Sequence, residues 1–141
     1  MKYMKSFNHP FFSWLMALGW LMLAIIVLLK PGKVVLSHEL TLSSFISTFF
    51  SFSMTRSDLS EALGHIFLFA ILTVLWQRVF IIYFNRSSTL LLTISAVLAF
   101  AIGTEIGQYF VNRGSMLLDL IANFLGIILP LYLIKYKGVY K

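Results

Sequence analysis

The chain has 141 residues, of which 60% are hydrophobic and 11% charged, with a net charge of +6 and no cysteine. A soluble domain carries about 25% charged residues, and a small one has too little interior to hide this much apolar surface. The composition therefore excludes an ordinary soluble enzyme and a disordered tail, and the missing cysteines exclude disulfides and thiolate metal sites. The expectation is an integral membrane protein.

Length then limits the architecture. A spanning helix takes about 20 residues, so four would use roughly 80 and leave enough chain for ends and connections. Six would leave almost no loops. The expected fold is all-α: one membrane domain over residues 1–141, built as a bundle of four transmembrane helices.

The first apolar run is Phe11 to Leu29, closed by Lys30-Pro31-Gly32. It follows Lys2 and Lys5 and so imitates a signal peptide. It is longer than a usual signal core, and no small-residue cleavage site follows, so it reads as an uncleaved first helix.

Residues 30–57 form a long connection. Leu42, Phe45, Ile46, Phe49 and Phe50 fall on one helical stripe, with Ser43, Ser44, Ser47, Thr48 and Ser51 opposite. This spacing predicts an amphipathic helix lying in the membrane interface in the first outer loop. The alternation of Phe50, Phe52 and Met54 with serines favours extended structure instead, over a shorter match.

The second span is expected over 59–84, opening at Asp58-Leu59-Ser60-Glu61, which has the form of a capping box. The third is expected over 89–111 and the fourth over 117–134, with Pro130 inside it. In this arrangement both termini share one side of the membrane. That side collects Lys2, Lys5, Arg78, Arg86, Lys135, Lys137 and Lys141, seven cations, against Lys30, Lys33, Arg56 and Arg113, four, on the other. The bias of Lys and Arg toward the cytoplasm places both termini there. The same cations are scattered over both faces, so no nucleic-acid surface is indicated.

Polar residues within the spans need a reason, since a charge at a helix centre costs about 2.5–3.5 kcal/mol on insertion scales. His65, Glu105, Gln108, Asp119 and Asn123 all fall toward the outer ends of their helices in this topology, with Arg113 in the outer turn between helices three and four. At 100° per residue, Glu105 and Gln108 share a face of the third helix, while Ala99, Gly103 and Gly107 form a small-residue seam almost opposite, suited to close helix packing. Asp119, Asn123 and Gly126 share a stripe on the fourth helix. Asp58, Glu61 and His65 share one on the second.

Each of these residues has more than one chemical reading. Glu105 is a proton acceptor or cation-binding carboxylate, or else the partner of Arg113 or His65. Asp119 is either a site group or a complement to its helix N-terminus. His65 can act as a general base, a metal ligand or a hydrogen-bonding residue. No HxxxH or ExxH pair accompanies it, so no metal and no cofactor is expected. Gln108 and Asn123 suit interhelical hydrogen bonds. Arg113 can grip a phosphate or pair with a carboxylate. Walker A, GxSxG, HExxH and dinucleotide-loop motifs are all absent from the sequence.

The segment Leu63-Gly64-His65-Ile66-Phe67-Leu68-Phe69-Ala70, then Glu105-Ile106-Gly107-Gln108, Arg113, Asp119, Asn123 and Gly126, resembles the ordered signature of VanZ-like membrane proteins over roughly residues 58–130. The chain departs from it in lacking a lysine before His65 and an extra aspartate between Arg113 and Asp119. The resemblance implies a small helical domain in the bacterial plasma membrane, linked to the cell envelope and to reduced susceptibility to the glycopeptide teicoplanin. It assigns no reaction.

The function expected from these features is engagement of a lipid headgroup or lipid-linked envelope precursor by an outer-leaflet polar pocket formed by Glu105, Gln108, Arg113, Asp119, Asn123, His65 and Glu61. Whether the pocket also catalyses a reaction is left open. One alternative is a structural subunit of a membrane complex, with a membrane protein as partner. Another is a small proton-coupled transporter, disfavoured because the ionisable groups occupy one end only.

Overall fold

The protein is described by a computed structural model covering residues 10–30, 56–111 and 117–136, without the side chains of 56–58 and 135–136. Four helices follow in chain order: α1 Pro10–Leu28, α2 Arg56–Phe80, α3 Arg86–Phe110 and α4 Leu117–Tyr136. All four are long and apolar enough to cross a membrane. The expected interfacial helix over Leu42–Phe50 lies outside the described residues.

Helix boundaries differ from the limits of the apolar runs. The second run continues to Phe84, but α2 ends at Phe80 and residues 81–84 turn, held by the Tyr83 and Phe84 amides donating to the Phe80 carbonyl. The third run begins at Thr89, but α3 begins at Arg86 because Asn85 caps it, its side chain accepting from the Ser88 amide at 2.9 Å. The cap satisfies an orphan N–H and draws polar residues 86–88 into the first turn. At the start of α2, Arg56 is already helical, so Asp58 lies within the first turn rather than at the N-cap, and its side chain lies outside the described residues.

The helix α2 is the hub. It packs most extensively on α4 and also contacts α3 and α1, whereas α1 touches α3 only lightly. The α2–α4 approach is close because Gly126 faces α2. A Cβ at that position would stand 2.7 Å from the Ile66 carbonyl oxygen and 2.8 Å from the Phe69 Cβ. The apolar core is small, formed by Ala24, Leu28, Phe69, Leu72, Val97, Ala101, Ile127 and Leu131.

The distribution of side chains is inverted relative to a soluble bundle. Large apolar residues such as Phe11, Phe67, Leu91, Phe110 and Tyr132 are exposed on the outside. Polar residues are buried within. Three buried threonines satisfy their hydroxyls on their own helices: Thr73 donates to the Phe69 carbonyl, Thr93 to Thr89 and Thr104 to Ala101, at 2.7–2.8 Å. Their burial thus has a local explanation.

One packing expectation is overturned. Ala99 and Gly103 do not sit at a contact between the described helices: both are exposed, and a Cβ on Gly103 would meet nothing within 4 Å. Of the three seam residues, Gly107 alone makes a close approach, to the Leu29 side chain. The polar face of α3 takes the interior, because Glu105 and Gln108 find partners there and Gly103 offers no side chain to bury.

Candidate functional site

His65, Glu105, Gln108, Asp119 and Asn123 are all buried, at the end of the bundle formed by the N-terminal halves of α2 and α4 and the C-terminal half of α3. Each helix sets its contribution by periodicity. His65 stands one turn before Phe69, the most buried aromatic, and the two rings stack at 6.5 Å between centroids. Asp119 and Asn123 are four apart on α4 and therefore share a face, which Gly126 and Ile127 continue into the core.

The centre of the cluster is a hydrogen-bonded relay across three helices. The Asn123 amide nitrogen of α4 donates to Glu105 Oε1 of α3 at 2.9 Å. The Asn123 amide oxygen stands 2.7 Å from His65 Nδ1 of α2. His65 Nδ1 and Glu105 Oε1 are themselves 4.0 Å apart, so the amide bridges them.

Hydrogen-bond logic then assigns the imidazole. The Glu105 carboxylate accepts, which fixes the NH2 end of the Asn123 amide toward it and leaves the amide oxygen toward His65. An amide oxygen only accepts, so His65 Nδ1 carries hydrogen and donates. In the neutral ring, Nε2 then presents a lone pair. Nε2 is buried and has no hydrogen-bond partner among the described residues.

Gln108, one turn beyond Glu105, ties α1 to the cluster. Its Nε2 donates to the Leu28 carbonyl at 3.3 Å, at the C-terminal end of α1. The Gln108 Oε1 is buried without a hydrogen-bond partner among the described residues. The relay and this bond together connect α1, α2, α3 and α4 through polar groups.

Of the remaining sequence-derived candidates, one stands outside the buried cluster. Glu61, one turn before His65, is exposed. Arg113 lies outside the described residues, as does the side chain of Asp58. Among the described residues, no three His, Asp or Glu side chains group as a metal site.

At the opposite end, Gln77 lies within the second apolar run, yet it is buried, and its Oε1 has no partner among the described residues. With Arg86, Thr89 and Leu131 among its neighbours, it lines a cavity of about 10 Å³. An amide inside a span was the available signal. The Leu28 carbonyl has no such signal, because every residue carries a backbone oxygen.

Chemically, the buried cluster is rich in acceptors: two carboxylates, an imidazole nitrogen and a glutamine oxygen. Compared with protein-family models, curated proteins and solved structures, the chain matches none.

Proposed function

We propose that this chain is a multi-pass protein of the bacterial plasma membrane whose polar end faces outward and engages the headgroup of a membrane lipid or lipid-linked envelope precursor. The observation that carries the reading is His65 Nε2, a buried nitrogen without a partner among the described residues, on a ring oriented by Asn123 and Glu105. A buried polar atom left unsatisfied costs about 1–3 kcal/mol, which an incoming group recovers by bonding to it. Intramembrane ionisable groups mark functional sites by default.

The setting is supported by the apolar exterior, the polar interior and four helices of spanning length. The outward orientation is supported by the seven-to-four distribution of Lys and Arg. The resemblance of Glu105-Ile106-Gly107-Gln108, Asp119 and Asn123 to the VanZ-like signature adds the cell envelope as context and lowered glycopeptide susceptibility as the consequence of masking the ligand.

A second reading is favoured by the bonds that join all four helices. In it the chain is a structural subunit whose polar groups specify helix pairing, and its partner is another membrane protein. Glu105→Gln, Asp119→Asn and His65→Gln separate the two readings. Under the proposed function, these variants keep near-wild-type folded yield and lose both co-purified lipid and the envelope-antibiotic phenotype. A parallel fall in yield and partner association, with lipid content unchanged, would replace the proposed function by the structural one.

A further inference from the structure

Resting on the proposed headgroup site, the orphan atoms specify what kind of headgroup it takes. We infer that the site selects a headgroup that presents N–H donors, a primary ammonium, and that it does so through His65 Nε2 and Gln108 Oε1.

Gln108 Oε1 is an acceptor and is left free by its neighbour, and His65 Nε2 is an acceptor in the neutral ring. Gln108 must turn its NH2 toward the Leu28 carbonyl, which can only accept, and this leaves Oε1 as the free end. His65 must turn a hydrogen-bearing Nδ1 toward the Asn123 amide oxygen, and this leaves the Nε2 lone pair. The two residues are each 1% exposed, so bulk water does not serve either atom. Glu105, which accepts from Asn123, and Asp119, one turn from Asn123, are buried carboxylates at the same end of the bundle.

A phosphate group would bring acceptors against these acceptors. A quaternary ammonium would bring charge and no hydrogen to donate. A primary ammonium supplies both, with three donors on one small head. The same chemistry occurs in a lipid headgroup and in a free amine, and the experiment below separates these sources.

The test uses the purified full-length protein in bilayer nanodiscs. Phosphatidylethanolamine and its mono-, di- and trimethylated forms, with identical acyl chains, are offered in a phosphatidylglycerol background, and retained lipid is measured by native mass spectrometry. The series keeps the phosphate and the positive charge while removing N–H donors one at a time. Retention is expected to fall stepwise, with about a tenfold difference between the primary and the trimethylated headgroup, corresponding to ~1.4 kcal/mol.

His65→Phe, which keeps a ring against Phe69, and Gln108→Met, which keeps side-chain length, are each expected to flatten the series. Because it is read on the unaltered protein, the methylation series decides the matter even if a variant fails to fold. Displacement by free ethanolamine at concentrations that displace the lipid would support the donor chemistry and assign it to a soluble amine, overturning the lipid reading. Equal retention across the series, above bulk, would overturn the donor inference and leave headgroup engagement standing, as would a preference for phosphatidylglycerol. Retention of no lipid above bulk, with free ethanolamine also unbound, would overturn both.

Discussion

Gly126 of α4 meets the Ile66 carbonyl of α2 so closely that a methyl group would stand 2.7 Å from the oxygen. The obstacle is backbone, with the Phe69 Cβ and Ala70 nitrogen beside it, so no side-chain rotation relieves it. This contact sets the depth at which α4 lies against α2, and so the reach of Asn123 to His65 one turn away.

Gly126→Ala is therefore expected to destabilise the bundle by about 1–3 kcal/mol through overpacking. Gly107→Ala meets only the flexible end of Leu29 and is expected to cost less. Gly103→Ala meets nothing and is expected to gain up to ~1 kcal/mol from helix propensity. Reversible unfolding in mixed micelles would rank the three, and Gly126→Ala equal in stability to Gly103→Ala would refute the close approach.

At Asn123, shape and chemistry make opposite forecasts. Asn123→Asp is nearly isosteric, but it sets an acceptor against Glu105 Oε1 where a donor now stands at 2.9 Å. Asn123→Leu removes both bonds. The aspartate is expected to be at least as destabilising as the leucine. A double-mutant cycle of Asn123→Leu with His65→Phe is expected to give a coupling of about 0.6 kcal/mol, and no more than ~2, as for other hydrogen bonds between membrane helices. Zero coupling would mean that the bridge does not form.

The helix α1 buries only Ser13, Ala17, Ala24 and Leu28. Its hold on the bundle comes substantially from tryptophan. Trp20 Nε1 donates to the Leu68 carbonyl at 3.0 Å and its ring meets Phe67 edge-on, while Trp14 Nε1 donates to the Tyr83 hydroxyl. Trp20→Phe keeps an aromatic ring and removes the donor. It is expected to cost about 1 kcal/mol and to raise amide exchange in α1 before α2. Unchanged exchange in α1 would show that the indole bond contributes nothing.

Orientation is testable because the chain has no cysteine. Single cysteines at Ser47, Ser87 and Ser115 can be probed in intact cells with an impermeant thiol reagent. Labelling is expected at positions 47 and 115, with protection at 87. The reverse pattern would place Glu105 and Asp119 on the cytoplasmic side and remove the outer-leaflet ligand.

The sequence by itself determined the helical class and the number of long apolar helices, because both follow from local quantities: run length, hydropathy and charge spacing. It also singled out His65, Glu105, Gln108, Asp119 and Asn123, since a polar side chain in an apolar run is visible without a fold. Helix ends were less legible. Asn85 begins α3 by a cap, and the polar turn it creates carries no apolar signal. Which face of each helix turns inward was decided only by the tertiary structure. Periodicity places Glu105 opposite Gly103 on α3, but a wheel has no inside until other helices surround it. The bundle turned the polar face in and left Ala99 and Gly103 exposed, because Glu105 and Gln108 find hydrogen-bond partners in Asn123 and the Leu28 carbonyl. The same packing buried His65 and left Glu61, one turn before it on α2, exposed. The free acceptors on His65 and Gln108 also exist only in three dimensions, since each follows from what its other polar atom touches.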